Sequence, residues 1–381
     1  MIIDQINDQE DIMDKKVLIL GVAAVQLDAI LQLKAMGMEV HAIAQSKDGP
    51  GADAADRFEA INFMDTDAVI DYIREQGIRL VYSVGSDMAM PQACMISDRL
   101  SLPKFVDEQT ARICNNKDRM RESLGKDFEG NVGYQVVEDS EEALDLAFPF
   151  IVKPSDSQGQ RGITIVNKQE EYLEAFAHAK QYSRSGKVIL EQYIQGPEIS
   201  VNGYMVDGKI RFMFATDRVC WDDHFGLIHK HVLPCASLTD RSSALLASIM
   251  EKACKKLKIE NGPVYAQVKV EDDRPYIIEI TPRLDGCHMW KLLDRHTGIN
   301  LLKLTFEHLL NGDVSELDKP MKLLRPMTLE FICQEPGTLA DYRDFEKELD
   351  ALPSFCYYRQ GDRIRPVNGK YEKIGYFIDE E

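Results

Sequence analysis

The sequence predicts an α/β chain in which a parallel sheet comes first, mixed α+β lobes follow, and a small strand-rich segment ends the chain. The main observation is that apolar strands and helical patterns alternate over the first hundred residues. Such βαβ alternation is typical of a parallel sheet with helices on both faces. The predicted strands here are Lys16–Leu20, Glu39–Ala44 and Leu80–Val84, with helices at Gln26–Met36 and Ala68–Gln76 and a polar loop at Ser46–Asp53.

A second unit begins near Thr110 and becomes richer in strands from Val188 onward. Two of its strands are joined by Asp207-Gly208, which is a strong hairpin signal. The predicted helices are Ala111–Leu124, Ser140–Ala147, Gln169–Tyr182, Arg241–Leu257, Trp290–His296 and Leu301–Leu310. The predicted strands are Gly133–Val137, Phe150–Pro154, Ile163–Val166, Val188–Tyr193, Ile199–Val206, Lys209–Asp217, Val264–Glu271 and Pro275–Thr281. The tail from about Arg325 is strand-rich and includes a predicted helix at Leu339–Leu349.

Composition narrows the class of protein. The chain has 381 residues, 44% of them hydrophobic, which suffices for two or three folding units. A formal net charge of −18 argues against nucleic acid or a membrane surface as a general partner. No apolar run approaches the roughly 18 residues that span a bilayer, and residues 1–14 do not resemble a signal peptide. Eight scattered cysteines without a CxxC pair fit a reducing compartment, so we expect a cytoplasmic protein.

The first sheet does not carry a nicotinamide-binding fingerprint. The turn after its first strand reads GVAAVQ from Gly21, which does not match GxGxxG. Gln45 stands after the second strand, where that fingerprint needs an acidic residue for the ribose. The sequence therefore disfavours a dehydrogenase.

Four stations along the second unit carry residues suited to phosphate chemistry. The first is Lys117, followed by Arg119 and Arg121, although a Lys/Arg helix face taken alone is usually just solvated. The second is IVKPSDSQGQRGI at residues 151–163, where a strand delivers Lys153 into a loop rich in Ser and Gly. Such a loop can bring backbone N–H groups close to phosphate oxygens, with the lysine as a point charge. It does not match a Walker A motif, and an ordinary hairpin connection stays open as an alternative.

The third station is the segment EQYIQGPEISV, which begins at Glu191. A strand ends in this carboxylate, and a second carboxylate, Glu198, follows Gly196-Pro197. Exposed backbone groups between them could read adenine, while Glu198 could accept hydrogen bonds from ribose hydroxyls. Taken singly, both glutamates also fit surface charges at strand ends.

The fourth station is the most specific and lies on two adjacent strands, VYAQVK and IIEITPR. They place Gln267 and Glu279 on neighbouring backbones, where oxygen ligands can hold Mg²⁺ beside ATP phosphates. Arg283, two residues beyond Thr281, shares a strand face with Glu279 if the strand continues. It could stabilise negative charge on a transferring phosphoryl group. The alternative is a surface strand with a salt bridge.

Together, the four stations resemble the ATP-grasp superfamily, and they are most similar to its carbamoyl-phosphate-synthetase-like and biotin-carboxylase-like branch. The similarity runs from about Val17 to Gly298 and includes GVAAVQLDAILQLKAMGMEV, the loop at 151–163, EQYIQGPEISV, and AQVKV followed by IIEITPRLDGCHMWKL. It implies a pre-ATP-grasp α/β domain at 1–109 and an ATP-grasp domain at 110–312. The small lobe would span about 110–187, the large lobe about 188–312, and a C-terminal α+β segment 313–381.

The resemblance also implies roles for individual residues. ATP and Mg²⁺ would be the cofactors, with Mn²⁺ as an open alternative. Arg283 would serve the acyl-phosphate chemistry. The implied nucleotide contacts are Lys117, Lys153, Ser155, Ser157, Gly159, Gly162, Glu191, Gln192, Tyr193, Ile194 and Glu198, with the loop Ser155–Gly162 as a lid. The implied metal ligands are Gln267, Glu279 and Thr281. The implied substrate contacts are Gly21, Ser86, Asp87, His229, His231 and His288.

These roles imply a ligase that activates a small carboxylate as an acyl phosphate and joins it to an amine, releasing ADP and phosphate. The chain departs from the family at Thr281, where relatives usually have Asn. A split carbamoyl-phosphate synthetase, a carboxylating enzyme, and an ATP-binding regulatory protein without turnover remain alternatives. The resemblance leaves a homodimer open as the state of assembly.

Overall fold

The fold is described from a computed structural model over residues 15–142, 144–157, 161–224, 226–322, 325–367 and 371–380. An N-terminal domain is built on a sheet in the order β3-β2-β1-β4, and all its pairs are parallel, as the alternation predicted. Its apolar strands are buried by helices, because both faces of a parallel sheet need cover. The elements are β1 Lys16–Leu20, α1 Ala24–Ala35, β2 Glu39–Ala44, α2 Pro50–Ala54, β3 Arg57–Ala60, α3 Thr66–Gln76, β4 Leu80–Tyr82 and α4 Ala89–Leu100.

A small four-stranded sheet follows, in the antiparallel order β5-β8-β6-β7. One helix packs against it through Tyr172, Ala175 and Phe176, which lie at helical spacing. The elements are α5 Glu108–Cys114, α6 Lys117–Leu124, β5 Tyr134–Val137, β6 Phe150–Pro154, β7 Thr164–Val166, α7 Gln169–Tyr182 and β8 Val188–Gln192. Since β8 belongs to this sheet, the proposed lobe boundary near residue 187 falls just before its last strand.

An eight-stranded sheet forms the rest of the molecule, in the order β13-β12-β9-β10-β11-β14-β16-β15. The hairpin between β9 and β10 turns at Asp207-Gly208, as predicted. The C-terminal strands continue this sheet through the pair β11–β14. The elements are β9 Glu198–Val206, β10 Lys209–Cys220, β11 Ile228–Leu233, α8 Asp240–Lys256, β12 Gly262–Glu271, β13 Arg274–Thr281, α9 Met289–Thr297, α10 Leu301–Asn311, β14 Met327–Gln334, α11 Glu346–Ala351, β15 Ser354–Cys356 and β16 Glu372–Glu380.

Three predicted helices differ from the structure. The helix expected at Ala111–Leu124 is two helices, because Asn116 turns its side chain back onto the Arg112 carbonyl at 2.6 Å and ends the first. No helix forms over the described part of Ser140–Ala147. There the Glu142 carboxylate accepts the backbone N–H groups of Glu138 and Asp139, which competes with helical bonding. The helix expected at Leu339–Leu349 is shorter and begins only at Glu346, after a 3₁₀ turn.

Sequence reasoning also missed several short elements. It read the residues of α2 as loop, and it did not place β3, α4 or β11. Within the described residues, no helix is both long and apolar enough to cross a membrane.

Candidate functional site

The small sheet delivers a buried lysine to its edge. Lys153 is the penultimate residue of β6 and is only 4% exposed, and its Nζ donates to Glu191 Oε2 at 2.6 Å. Glu191 lies on the neighbouring strand β8 and is 2% exposed. Its other oxygen accepts from Arg121 Nε at 3.0 Å. One carboxylate therefore balances two cations inside the lobe.

Arg121 joins this group to the large sheet. Its guanidinium is fully buried. In addition to its bond with Glu191, it donates to Asn131 Oδ1 at 2.9 Å. It also donates to the backbone carbonyls of Ile277 at 2.6 Å and Ile278 at 3.1 Å, both on β13. Sequence reasoning placed Arg121 on a solvated or phosphate-facing helix side. Its spacing of three from the buried Leu124 is the signal that would have put it on the apolar side.

Burial and pairing set the charges of these groups. Burial alone would raise the pKa of Glu191, but Arg121 and Lys153 together outweigh it and lower the pKa to about 2. Burial lowers the pKa of Lys153 to about 8, against the opposing effect of Glu191. The Glu191 carboxylate is therefore ionised and fully engaged at neutral pH. The predicted contact of Glu191 with adenine would therefore be made by its backbone and not by its side chain.

Lys117 lies at the first turn of α6 and faces the predicted lid. Its Nζ donates to the Ser157 carbonyl at 2.7 Å, and its backbone N–H donates to the Ser155 carbonyl at 2.9 Å. Ser155 and Ser157 are buried, so the structure brings these three predicted residues together with Lys153. Gly162 has a φ of +72°, and an added Cβ would stand 2.9 Å from the Tyr182 ring. Gly159 lies outside the described residues.

The connection from β8 to β9 carries the predicted adenine and ribose contacts. Lys269 donates to the Ile194 carbonyl at 3.0 Å and stands 5.2 Å above the Tyr193 ring. The Gln192 amide oxygen faces the N–H of Gly133 at 3.4 Å. Glu198 begins β9 and pairs with Arg218.

The predicted metal ligands occupy one face of two paired strands. Gln267 lies opposite Glu279, and Tyr265 lies opposite Thr281, so Glu279 and Thr281 share a strand face. Gln267 donates its Nε2 to Glu198 Oε1 at 2.7 Å, which leaves its carbonyl oxygen as an acceptor. Among the described residues, Glu279 has no ion pair with a lysine or arginine. An amide oxygen, a carboxylate and a hydroxyl form a hard donor set that fits Mg²⁺.

Arg283 contacts the N-terminal domain. Its Nε donates to Asp87 Oδ1 at 2.6 Å, and its Nη1 donates to the Leu284 carbonyl at 2.9 Å. Burial alone would lower the pKa of Arg283, but Asp87 raises it overall. The strand does not continue as far as Arg283, because β13 ends at Thr281 and Arg283 lies in the following turn, so the condition for a strand face shared with Glu279 is not met.

The loop that carries Asp87 approaches this turn closely. Gly85 has a φ of +65°, and a Cβ there would stand 2.8 Å from the Gly286 Cα. Ser86 accepts the Ala89 N–H at the start of α4. Gly21 ends β1 with a φ of +99°, and its N–H donates to the Ile43 carbonyl.

The three predicted histidines lie toward the C-terminal strands. His229 Nε2 is 3.0 Å from Glu330 Oε1, and its ring stacks on Trp221. His288 is buried, with one ring nitrogen 2.7 Å from Asp28 and the other 3.0 Å from the Tyr357 hydroxyl. His231 is buried beside Thr216. Nε2 of His229 and both ring nitrogens of His288 thus have partners other than Arg283.

Several known proteins are similar to this chain. Residues 146–290 match a family model described as an ATP-grasp domain. The chain is 28% identical over 193 residues to the carbamoyl phosphate synthase large chain of Caldanaerobacter subterraneus subsp. tengcongensis, covering 49% of this chain and 17% of that one. It is 26% identical over 295 residues to the alanine–anticapsin ligase of Bacillus amyloliquefaciens, covering 69% of this chain and 59% of that one. The chain thus spans less than two thirds of the length of these relatives.

Solved structures share the whole architecture. The L-amino acid ligase from Bacillus licheniformis superposes with a TM-score of 0.81 at 20% identity, covering 96% of this chain and 93% of that one. The phosphoribosylglycinamide synthetase from Anaerococcus prevotii gives a TM-score of 0.79 at 22% identity, covering 96% and 94%. At these identities the similarity establishes the fold.

Proposed function

We propose that this chain, whose residues 146–290 match a family model described as an ATP-grasp domain, is an ATP-dependent ligase that joins a small carboxylate to an amine. The observation that carries the proposal is the contact between Arg283 and Asp87. It sets a buried cation from the turn after β13 against the N-terminal domain, close enough to Glu279 to interact with its charge. An arginine in this position can meet charge that develops between the two domains.

The nucleotide would lie between the small lobe and the eight-stranded sheet. Lys117 donates to the loop at 155–157, and Lys153 lies two residues before that loop, so both would hold the phosphates, with the ribose near Glu198. Gln267, Glu279 and Thr281 would hold Mg²⁺, which neutralises phosphate charge when it is bound. In this reading, 1–109 is the pre-ATP-grasp domain, 110–312 holds both lobes, and 313–381 extends the large sheet.

The reaction would proceed in two displacements. A carboxylate oxygen of the first substrate attacks the γ-phosphorus of ATP, and the bond to the β-phosphate oxygen breaks to release ADP. The amine nitrogen of the second substrate then attacks the acyl carbon, phosphate leaves, and the nitrogen loses a proton. Arg283 stabilises the negative charge in both displacements, and closure of the 155–162 loop excludes water. Positioning and charge suffice for this chemistry.

Small molecules are the expected partners, and a homodimer remains the proposed alternative to a monomer. The names of the relatives include an amino-acid ligase and carbamoyl phosphate synthases, and both kinds of name fit carbon–nitrogen bond formation. The test therefore screens carboxylates and amines together.

The test is ADP formation by the full chain with Mg²⁺-ATP and pooled small carboxylates and amines. We expect one pool pair to stimulate ADP release, and Arg283→Lys to lower that rate by about a hundredfold to a thousandfold. The matched control is Arg295→Lys, because Arg295 lies on the surface in α9 and pairs only weakly with Glu380. Release of AMP, or equal rates in the two variants, would contradict the proposal.

Glu279→Gln tests the metal site. Because the substitution removes the carboxylate but keeps the shape, we expect the Mg²⁺ concentration for half-maximal rate to rise at least tenfold. Glu271→Gln, on the neighbouring strand β12, is the matched control. An unchanged Mg²⁺ requirement in Glu279→Gln would remove Glu279 from the proposed ligand set.

A further inference from the structure

Three side chains of different chemistry meet beneath the turn that follows β13. His231 projects from β11, and Asp285 and Cys287 come from the turn. All three are buried, with exposures of 0%, 3% and 8%. One ligand atom from each (a ring nitrogen, a carboxylate oxygen and the thiol sulfur) lies within 4.8 Å of the other two. We call this group the His–Asp–Cys cluster.

Two of its atoms lack hydrogen-bond partners within the described part of the chain. They are Nε2 of His231 and Oδ2 of Asp285, and both are hidden from solvent. A buried polar atom without a partner costs about 1–3 kcal/mol, so native proteins keep few of them. Two such atoms that belong to one compact cluster indicate a shared missing partner.

The remaining hydrogen bonds hold the three side chains in the way that metal ligands are usually held. His231 Nδ1 lies 3.1 Å from the Thr216 hydroxyl, which leaves Nε2 directed at the cluster. Asp285 Oδ1 accepts the Cys287 N–H at 3.1 Å, which leaves Oδ2 free. Lys373 Nζ lies 3.5 Å from Cys287 Sγ and can donate to a thiolate. Such outer contacts fix the orientation of metal ligands in known sites.

Charged side chains lie in and around the cluster. Asp285 and Cys287 are both buried, so their anionic forms need a compensating charge. Lys373 supplies one positive charge beside the sulfur. The two nearby arginines each have a carboxylate of their own, in the pairs Arg218–Glu198 and Arg283–Asp87. A dication would meet two negative charges, from the carboxylate and the thiolate, and Lys373 would add one positive charge beside the sulfur.

We propose that the His–Asp–Cys cluster binds a borderline-soft divalent metal ion of the Zn²⁺ type, with water as a fourth ligand. A thiolate, an imidazole and a carboxylate are the ligands that zinc takes in proteins, whereas Mg²⁺ prefers oxygen alone. Bond lengths of about 2.0–2.3 Å would draw the three atoms to about 3.3–3.8 Å apart. The cluster needs to contract by at most about 1.5 Å to reach that geometry.

This ion would be separate from the proposed Mg²⁺ at Gln267 and Glu279. It would tie β11 to the turn that carries Arg283, two residues before Asp285. A metal at this place would hold the turn, and with it the Arg283–Asp87 contact, in one position. Its effect would be structural, so its binding can be measured without any substrate.

The experiment titrates the purified full chain, free of chelators and of a histidine tag, with Co²⁺ as a spectroscopic substitute for Zn²⁺. We expect one equivalent to bind and to give a thiolate-to-cobalt charge-transfer band that Zn²⁺ abolishes and millimolar Mg²⁺ leaves unchanged. Cys287→Ser should lose the band, and His231→Gln should weaken Co²⁺ binding at least tenfold. Cys254→Ser is the matched control, because Cys254 is equally buried but lies on α8 outside the cluster.

Two results would overturn the proposal. One is the absence of a charge-transfer band in the unmodified chain at saturating Co²⁺. The other is a band that survives in Cys287→Ser, since another cysteine would then be the ligand. If Cys287→Ser does not fold, His231→Gln is the deciding variant. Unchanged Co²⁺ affinity in His231→Gln would exclude the His–Asp–Cys cluster as the metal site.

Discussion

Replacing Arg121 with methionine tests whether the buried charge group holds the two lobes together. Arg121 is fully buried and donates four hydrogen bonds, two of them to carbonyls of β13 in the other sheet. Methionine keeps the length and apolar character of the side chain. It removes every one of these bonds and leaves Glu191 with Lys153 as its one remaining cation.

The expected loss of stability in Arg121→Met is the sum of two contributions. Lowering the pKa of Glu191 from its usual 4.5 to about 2 corresponds to about 3 kcal/mol of favourable interaction, which Arg121 shares with Lys153. The lost bonds to the Ile277 and Ile278 carbonyls add about 1 kcal/mol each. The sum for Arg121 is about 3–4 kcal/mol, within the range of about 3–5 kcal/mol for breaking a buried ion pair.

Hydrogen exchange followed by mass spectrometry measures this cost locally, which avoids assuming that a chain of several domains unfolds in one step. We expect protection of the amides in β6 and β8 to fall by about a hundredfold or more in Arg121→Met. Arg119→Met is the matched control, two residues away on the exposed side of α6, and should change protection by less than about threefold. Similar losses in the two variants would refute the reasoning.

Three further predictions concern the same region and its neighbours. Because the folded pKa of Glu191 lies below its unfolded value, its stabilising effect is full above pH 4.5 and is lost as the pH falls toward 2. The difference in melting temperature between the unmodified chain and Glu191→Gln should therefore narrow over that range, and a constant difference would contradict the assignment. Gly85→Ala should lower the melting temperature more than Gly312→Ala, since both glycines have φ near +65–69° but only Gly85 meets backbone within 3 Å. Equal losses of melting temperature in the two variants would mean that the close approach of Gly85 to Gly286 has no effect on stability. Asp87→Asn should lower ADP formation about tenfold and leave ATP affinity unchanged, because Asp87 acts by orienting Arg283; steady-state kinetics check this, and a parallel loss of ATP affinity would contradict it.

Sequence periodicity predicted three of the four strands of the first sheet because β1, β2 and β4 are short apolar runs, whereas β3 is mostly exposed and was missed. The bounds of β1 and β2 match the prediction residue by residue. Boundaries set by side chains that bond to nearby backbone were harder to predict. Asn116 divides one expected helix, and Glu142 replaces another with turns. Asn and Glu are common residue types, so their effect on these helices is seen only in the hydrogen bonds that they make.

The candidate site was predictable where it depends on strand pairing. Gln267 and Glu279 were expected on neighbouring strands, and the register places them opposite each other. The partners of charged groups could not be predicted, because they come from distant parts of the chain. Arg121 meets carbonyls more than 150 residues away, and Arg283 meets Asp87, 196 residues away. Their roles at the site stay predictions.

The order of strands in the large sheet has a consequence for how the chain folds during synthesis. The central strand β11 finds one neighbour at once in β10, but its other neighbour, β14, comes roughly 90 residues later. At about 5–20 residues per second, β11 therefore remains an open edge for about 5–20 seconds on the ribosome. An open edge can pair with other chains. Lys230 projects from this strand and supplies a charge of the kind that discourages such pairing until β14 arrives.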